Sequence, residues 1–298
     1  MPKTRVNQID LHYITVGAGP DVVMLHGLLG NLAVWHLHIV PELRREFRIT
    51  AYDLRGHGYS DVTRSGYSTD EMARELEGLL DALGIERPYL VGHSFGADIG
   101  LNLALLCPER IRGLVLIDPT LPALVDQRKS TDWVGWKYWV AKLEEVGLRV
   151  PPDKQTDLSY LLNLSVETPK FYGPARGLPR RREPLLNLLR NTTLVEDYEK
   201  VESLTLDSIR GITTPTLLVS GERSQFLGTY AFLRETLPNC TSRLMPGGEH
   251  FGPLEQPGYL ATHMRAFFHH VMTDGRKPFL LGSADDSSDA FEAAGVGD

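Results

Sequence analysis

The sequence predicts an α/β fold in which a mostly parallel, eight-stranded sheet carries helices on both faces. Short, continuous apolar runs, such as residues 22–25 and 114–117, are typical of strands buried on both faces. Helix patterns separate these runs, and such alternation indicates a parallel sheet. A third observation is a glycine-flanked serine at residues 92–96, which follows a strand pattern and precedes a helix pattern.

Eight stretches along the chain have strand patterns and are bounded by turn or helix patterns. They are residues 4–6, 9–16, 22–25, 47–52, 90–91, 114–117, 215–221 and 242–245. We expect the first two to pair as an antiparallel hairpin and the later ones to build the parallel part of the sheet.

Helix patterns fill most of the intervals between these strands. Asn31 is a suitable cap for a helix that extends to about Arg45. A capping box at residues 68–71 starts the next helix, and Gly84 ends it. The remaining helices are expected from residue 95 to about 107, from 226 to 237 and from 257 to 272.

Residues 120–212 interrupt this alternation. The stretch is too long for an ordinary connection, and its helical pieces are broken by prolines. We therefore predict a helical cap, inserted after the sixth strand into a core domain of residues 1–119 and 213–274. The tail, residues 275–298, is rich in glycine, alanine, serine and aspartate, and we expect it to be disordered.

The composition argues against several classes of protein. A formal net charge of -7 at pH 7 disfavours nucleic-acid binding. No apolar run is long enough to span a membrane, and residues 1–5 lead into a strand pattern without a secretory segment, so a cytoplasmic location is expected. The two cysteines, Cys107 and Cys240, predict neither a disulfide framework nor a metal site. No cofactor and no metal are implied.

The stretch with the clearest chemical signature is Gly92-His93-Ser94-Phe95-Gly96. A strand, a sharp turn and a helix in this order form the setting of a nucleophile elbow. Gly92 and Gly96 lack side chains, so the strand and the helix can approach each other closely around Ser94. The hydroxyl would then stand clear of the sheet, at the positive end of the following helix. We therefore predict that Ser94 is a nucleophile.

Several ordered motifs resemble those of the α/β-hydrolase superfamily, in particular its capped branch with a serine nucleophile. The matching stretches are His26-Gly27, Asp53-Leu54-Arg55-Gly56-His57-Gly58, Gly92-His93-Ser94-Phe95-Gly96 and residues 114–118, 215–222 and 248–250. The resemblance covers about residues 5–272 and implies the fold predicted above. It also implies that His250 is the base and that the backbone N–H groups of Leu28 and Phe95 form the oxyanion hole.

The acid is where this sequence departs from the family pattern. The commonest pattern after the seventh strand is Gly-x-x-Asp, but here it reads Gly221-Glu222-Arg223-Ser224. Asp118, at the end of the sixth strand, is our first candidate, because some branches of the superfamily place their acid there. Glu222 is the alternative, and a third hypothesis is that no acid works at this site. Asp118 can also simply cap a turn before Pro119.

Residues close to these motifs are the candidates for substrate contact. We expect Leu28 and Phe95 to wall the acyl pocket. The further candidates are His26, Gly27, Leu29, Trp35, His93, Trp136 and Phe251. Trp133, Trp136 and Trp139 recur at helical spacing, which favours packing on the core, with pocket lining as the alternative.

Together these features predict a serine hydrolase that cleaves a carboxylic ester, lactone or thioester of a small to medium apolar molecule through an acyl-enzyme. The alternatives are hydrolysis of a carbon–carbon bond in a dienoic or diketone acid, and a ligand-binding protein without hydrolytic activity. The expected partner is a small-molecule substrate. An acidic partner such as an acyl carrier, and a homodimer contact, are left open. The candidate contact for an acidic partner is a basic cluster, Arg176, Arg180, Arg181 and Arg182.

Overall fold

The computed structural model describes residues 1–124, 130–168 and 182–274. Eight strands form one sheet. They are β1 (Lys3–Val6), β2 (Ile9–Val16), β3 (Asp21–Leu25), β4 (Arg48–Tyr52), β5 (Tyr89–His93), β6 (Gly113–Ile117), β7 (Thr216–Gly221) and β8 (Cys240–Met245). Their order across the sheet is β1-β2-β4-β3-β5-β6-β7-β8.

The sheet is antiparallel at one edge and parallel elsewhere. β1 pairs with β2, and β2 with β4, in antiparallel register. Every other neighbouring pair is parallel. The predicted fold class is therefore confirmed. The carboxyl ends of β3, β5, β6, β7 and β8 lie along the same edge, which is where ligands bind in open α/β sheets.

Helices cover both faces of this sheet. Within the described residues they are α1 (Ala33–His36), α2 (Val40–Leu43), α3 (Thr69–Ala82), α4 (Phe95–Leu106), α5 (Val134–Glu145), α6 (Leu158–Glu167), α7 (Arg182–Asn191), α8 (Leu194–Tyr198), α9 (Leu227–Thr236), α10 (Gly252–Glu255) and α11 (Pro257–Asp274). None of these is long and apolar enough to cross a membrane.

The two faces have separate apolar cores. Val23 and Leu25 of β3 belong to a cluster with α3, α4 and α9. Val22 and Met24 belong to a second cluster with α1, α2 and α11. Because successive side chains of a strand point to opposite faces, a strand buried on both faces has a continuous apolar sequence.

The helix predicted from Asn31 to Arg45 is wrong in its extent, because the stretch forms two short helices, α1 and α2. Pro41 lies in the first turn of α2, where its missing N–H costs no helical hydrogen bond. Inside one long helix, the same proline would remove a backbone hydrogen bond of the helix interior. The Asn31 side chain does support the start of α1, since its Oδ1 accepts a hydrogen bond of 2.9 Å from the N–H of Ala33.

The described residues between β6 and β7 contribute helices rather than strands. We call the described residues of this stretch, which include α5 to α8, the insertion. Leu186 and Leu188 of α7 share an apolar cluster with Leu29 and Tyr67, which lie outside the insertion. The division into a core domain and a cap stays a prediction. The predicted tail, residues 275–298, lies outside the described residues.

Candidate active site

Ser94 makes the sharp turn between β5 and α4. Its backbone has φ 54° and ψ -126°, a conformation that residues other than glycine rarely adopt. The strand ends at His93 and the helix begins at Phe95, so a single residue reverses the direction of the chain. This is the geometry of a nucleophile elbow.

Close backbone contacts require the glycines that flank Ser94. A Cβ atom at Gly92 would collide with the backbone of α4. A Cβ atom at Gly96 would lie 2.5 Å from the carbonyl oxygens of Leu25 and His26. β3, β5 and α4 therefore meet at the elbow with no room for a side chain at either position.

Three polar side chains from three separate loops meet at this turn. Ser94 Oγ lies 3.1 Å from His250 Nε2, and His250 Nδ1 lies 2.6 Å from Asp118 Oδ2. Asp118 has no exposed surface, and Ser94 and His250 are also buried. An ionised carboxylate can only accept a hydrogen bond, so His250 carries its proton on Nδ1 and presents Nε2 to the serine hydroxyl. In this arrangement a histidine can take the proton of a serine as it attacks.

The structure separates the two candidates for the acid. Asp118 directly follows β6, and its N–H donates to the carbonyl of Val219 at 2.8 Å. Glu222 is exposed, and its Oε2 accepts a hydrogen bond of 2.7 Å from the N–H of Gly247. Ser224, where the family pattern has its acid, is buried, and its hydroxyl lies 2.6 Å from Asp118 Oδ2. The geometry therefore favours Asp118 over Glu222.

The segment after Asp118 is fixed by Asp98, a buried residue of α4. Asp98 Oδ1 accepts hydrogen bonds from the N–H groups of Thr120 and Leu121, at 3.1 and 2.9 Å. Its Oδ2 accepts a further bond from the Thr120 hydroxyl. The carboxylate thus joins the helix behind the nucleophile to the loop that carries Asp118.

Two backbone N–H groups beside Ser94 make no hydrogen bond within the described residues. One belongs to Phe95, the first residue of α4, and is among the unpaired donors at the helix N-terminus. The other belongs to Leu28. Its neighbour Gly27 packs against the nucleophile, since a Cβ atom there would lie 3.0 Å from Ser94 Cβ. Both groups are therefore available to an oxyanion, and that role stays a prediction.

Two buried histidines hold the loop that carries Leu28. The N–H of Leu29 donates to His57 Nε2 at 3.1 Å. The N–H of Leu54 donates to His26 Nε2 at 3.0 Å. Each ring also donates through Nδ1 to a backbone carbonyl, so both rings are neutral. Burial lowers the pKa of His26, and burial together with the neighbouring His26 lowers the pKa of His57 to about 3.

His93 and Glu255 hold the backbone around His250. His93 Nε2 donates to the carbonyl of His250 at 2.8 Å. Burial, with a smaller contribution from His250, lowers the pKa of His93 to about 3, so its ring stays neutral. Glu255 accepts hydrogen bonds from the N–H groups of Glu249 and Phe251, at 2.7 and 3.2 Å. Glu255 carries no signal in the sequence that would predict this role, because no motif marks a residue that acts through backbone contacts.

A helix of the insertion reaches the same loop. Tyr138 of α5 donates a hydrogen bond of 2.6 Å to Glu249 Oε2, and Lys142 Nζ lies 3.3 Å from Glu249 Oε1. Aromatic rings also connect the two parts. The ring of Phe226 lies 4.9 Å from that of His250 and 5.7 Å from that of Trp133, between centroids.

Three predicted substrate contacts do not fit the structure. Trp35 has no exposed surface and belongs to the apolar core beneath the sheet, among Val22 and Met24. Both ring nitrogens of His26 are engaged with the backbone, so its role is structural. The ring of Phe95 is fully buried against Tyr198, which does not fit an open wall of the acyl pocket.

The other predicted contacts differ in their surroundings. Phe251 is half-buried, and its ring centroid lies 5.1 Å from that of His250. Trp136 is buried and packs with Val140 and Leu143 inside the insertion. Leu29 is buried in an apolar cluster with Tyr67 and with Leu186 and Leu188 of the insertion. Substrate contact by these residues, by Gly27 and by His93 stays a prediction.

No group of histidine, cysteine and carboxylate side chains in the described ranges could hold a metal ion. Of the basic cluster, Arg176, Arg180 and Arg181 lie outside the described residues. The acidic partner and the homodimer contact stay open hypotheses.

Comparisons with known proteins agree with the fold. A family model described as "alpha/beta hydrolase fold" matches residues 20–257. The curated 2-(acetamidomethylene)succinate hydrolase of Mesorhizobium japonicum is 25% identical over 260 residues, which is 84% of this chain and 88% of that protein.

Two solved structures share the fold at lower identity. A thermophilic esterase from Thermogutta terrifontis superposes with a TM-score of 0.68 at 21% identity, covering 92% of this chain and 100% of that one. An enol-lactonase from Burkholderia xenovorans superposes with a TM-score of 0.65 at 20% identity, covering 90% and 100%.

Proposed function

The chain belongs to the α/β-hydrolase fold family and is a hydrolase of that fold, and from this premise we propose that it is a serine hydrolase. Its reaction is the cleavage of a carboxylic ester, lactone or thioester of a small to medium apolar molecule through an acyl-enzyme. The observation that carries this proposal is the continuous series of contacts from Ser94 Oγ to His250 Nε2, and from His250 Nδ1 to Asp118 Oδ2, at 3.1 and 2.6 Å.

The first half of the reaction forms the acyl-enzyme. Ser94 Oγ attacks the carbonyl carbon while His250 Nε2 takes the hydroxyl proton. The imidazolium that results is stabilised by the Asp118 carboxylate. The carbonyl oxygen becomes an oxyanion, which accepts hydrogen bonds from the N–H groups of Leu28 and Phe95. When the bond to the leaving group breaks, His250 gives its proton to the leaving oxygen or sulfur.

The second half releases the acid. A water molecule attacks the acyl carbon as His250 Nε2 takes one of its protons, and the same two N–H groups hold the second oxyanion. The bond to Ser94 Oγ then breaks, and His250 returns the proton to the serine. The carboxylic acid leaves, and the enzyme is as it began.

An apolar substrate is supported by the side chains around His250. The half-buried ring of Phe251 and the buried ring of Phe226 lie against the base, and the half-buried ring of Trp133 lies against Phe226. Leu28 is half-buried and directly follows Gly27, which packs against Ser94. The carboxylate of Glu249, next to His250, is engaged by Tyr138 and Lys142. Apolar parts of a substrate would therefore find matching surface here.

The proposal is tested by labelling and by turnover. A fluorophosphonate probe is expected to label the wild-type protein on Ser94 and to leave Ser94→Ala unlabelled. A panel of aryl esters, lactones and acyl thioesters of increasing acyl length then identifies the substrate class, and Ser94→Ala should lower turnover ~10⁴-fold or more. A dienoic acid in the same panel tests carbon–carbon cleavage. Absence of labelling in folded wild-type protein would exclude the serine mechanism.

A further inference from the structure

Ser224 contacts the candidate acid from the end of β7. Its Oγ lies 2.6 Å from Asp118 Oδ2 and accepts a hydrogen bond of 3.0 Å from the N–H of Phe226. In the bond between Ser224 and Asp118, the serine hydroxyl is the donor. An N–H can only donate and a carboxylate can only accept, so the serine hydroxyl accepts from Phe226 and donates its own proton to Asp118.

Both donors that reach the Asp118 carboxylate bind the same oxygen. His250 Nδ1 and Ser224 Oγ each lie 2.6 Å from Oδ2. The other oxygen, Oδ1, is buried and has no hydrogen-bond partner within the described part of the chain. Among the described residues, the Ser224 hydroxyl is therefore the donor, besides His250, that fixes the orientation of the Asp118 carboxylate.

Ser224 is itself fixed relative to the loop of His250. Its N–H donates to the carbonyl of Gly221 at 3.0 Å, which closes a tight turn after β7. The N–H of Arg223 donates to the carbonyl of Gly248 at 2.8 Å. The hydroxyl thus connects the loop after β6 to a segment that is hydrogen-bonded to the loop of the base.

We propose that Ser224 is a positioning residue, whose hydroxyl orients Asp118 Oδ2 toward His250 and withdraws negative charge from that oxygen. This inference rests on the proposed function. Its basis is the shared oxygen, because a hydrogen bond donated to a carboxylate stabilises its charge and makes it a weaker acceptor for a second donor.

Removal of the Ser224 hydroxyl is expected to shift the pH dependence of activity toward higher pH. Without the Ser224 hydroxyl, Asp118 Oδ2 carries more negative charge and stabilises the protonated form of His250 more strongly. The base must be unprotonated to accept the serine proton, so activity would require a higher pH. The charged and titratable groups that face His250 or its loop are Asp118, His93, Glu222, Arg223, Glu255, and Glu249 with its partners Tyr138 and Lys142. Of these groups, Asp118 is the one whose side chain binds the Ser224 hydroxyl, so a change at Ser224 acts on His250 through Asp118.

The test compares Ser224→Ala with Ser220→Ala. Ser220 lies on β7, has no exposed surface, and its hydroxyl has no partner within the described residues, so its removal is a matched control. For Ser224→Ala we expect kcat/KM for an aryl ester to fall about ten-fold at the plateau of the pH profile. We also expect the acidic limb of that profile to move up by about half a pH unit. Ser224→Thr, which keeps the hydroxyl, should restore the position of the limb.

Failure of the proposed function and failure of the positioning role give different results. If the wild type neither turns over esters nor reacts with the probe, the proposed function fails. If the wild type is active but the acidic limb of Ser224→Ala stays in place or moves to lower pH, the positioning role is overturned. Ser224→Cys keeps the side-chain size with a weaker donor, and it carries the same test if Ser224→Ala melts below the assay temperature.

Discussion

The hydroxyl of Tyr138 donates a hydrogen bond of 2.6 Å to Glu249, the residue directly before His250. Burial and this bond raise the pKa of Tyr138, so the phenol remains a donor at neutral pH. Burial tends to raise the pKa of Glu249, but the bond from Tyr138 and the charge of Lys142 lower it overall. The insertion is therefore joined to the loop of the candidate base by a charged hydrogen bond.

We expect Tyr138→Phe to loosen this loop. Without the hydroxyl, Glu249 keeps Lys142 of α5 as a partner but loses the hydrogen bond of 2.6 Å from Tyr138. Less precise placement of His250 should lower kcat/KM for a small aryl ester by about three-fold, because one hydrogen bond to a partly exposed carboxylate is lost. Steady-state kinetics at the pH optimum measure the effect.

Tyr160→Phe is the matched control for this variant. Tyr160 lies on α6 of the same insertion, and its hydroxyl makes no hydrogen bond within the described residues, so activity should be unchanged. Equal activities of the two variants would show that the bond between Tyr138 and Glu249 has no effect on the base.

The assignment of the acid predicts different outcomes for two carboxylates. Asp118→Asn should lower kcat for an aryl ester by about 10³- to 10⁴-fold, because a neutral amide cannot stabilise the imidazolium and can favour the wrong tautomer. Glu222→Gln should change kcat less than about two-fold, since its carboxylate is exposed and binds the N–H of Gly247. Collapse of activity in Glu222→Gln alone would reverse the assignment.

Buried neutral histidines predict how stability depends on pH. The pKa of His57 is about 3 in the folded protein and about 6.5 without burial. As the pH falls from 6.5 toward 3, the unfolded chain binds a proton at His57 that the folded chain does not, so the folded state loses stability. His57→Gln should reduce the slope of unfolding free energy against pH by up to about 1.4 kcal/mol per pH unit.

Urea denaturation between pH 4.5 and 7 measures this slope. His38→Gln, at an exposed position, is the control and should leave the slope unchanged. A wild-type slope in His57→Gln would mean that His57 is protonated to the same extent in both states.

The elbow predicts that Gly96→Ala is strongly destabilising. The new methyl would lie 2.5 Å from the carbonyl oxygens of Leu25, the last residue of β3, and His26, which directly follows it, and this closely packed backbone has little room to move. We expect a loss of about 2 kcal/mol or more in the free energy of unfolding, or failure to fold. Gly228→Ala lies in α9 with nothing within 4 Å of the new atom, and it should be neutral or stabilising by about 0.5–1 kcal/mol.

The elements of the fold were largely readable from local patterns. The apolar runs predicted the strands because both faces of a parallel sheet are buried, as in β3. The capping box predicted the start of α3, where the Ser68 hydroxyl accepts the N–H of Glu71. The helix from Asn31 to Arg45, predicted from the cap at Asn31, is wrong in its extent, because Pro41 disfavours the interior of a helix and lies in the first turn of α2 instead.

Local patterns do not predict which side chains near the site face a substrate. Trp35 follows the glycine-rich loop closely in sequence, which suggested substrate contact, but its side chain turns to the opposite face of the sheet. His26 has the polar groups of a substrate-binding residue, yet both of its ring nitrogens bind the backbone. The direction in which a side chain points depends on packing against elements that are distant in sequence. The apolar periodicity of the local sequence does not identify those elements.

By itself, the sequence determined the sheet, the elbow at Ser94 and the candidates for the base and the acid. These features depend on local preferences of the backbone: where glycine permits close approach, where a cap begins a helix, and where burial makes a strand apolar. Only the tertiary structure decided that Asp118, rather than Glu222, faces His250, and that Ser224 and Tyr138 reach the same site. These contacts join residues from different strands and from the insertion, and their geometry depends on how the whole chain packs.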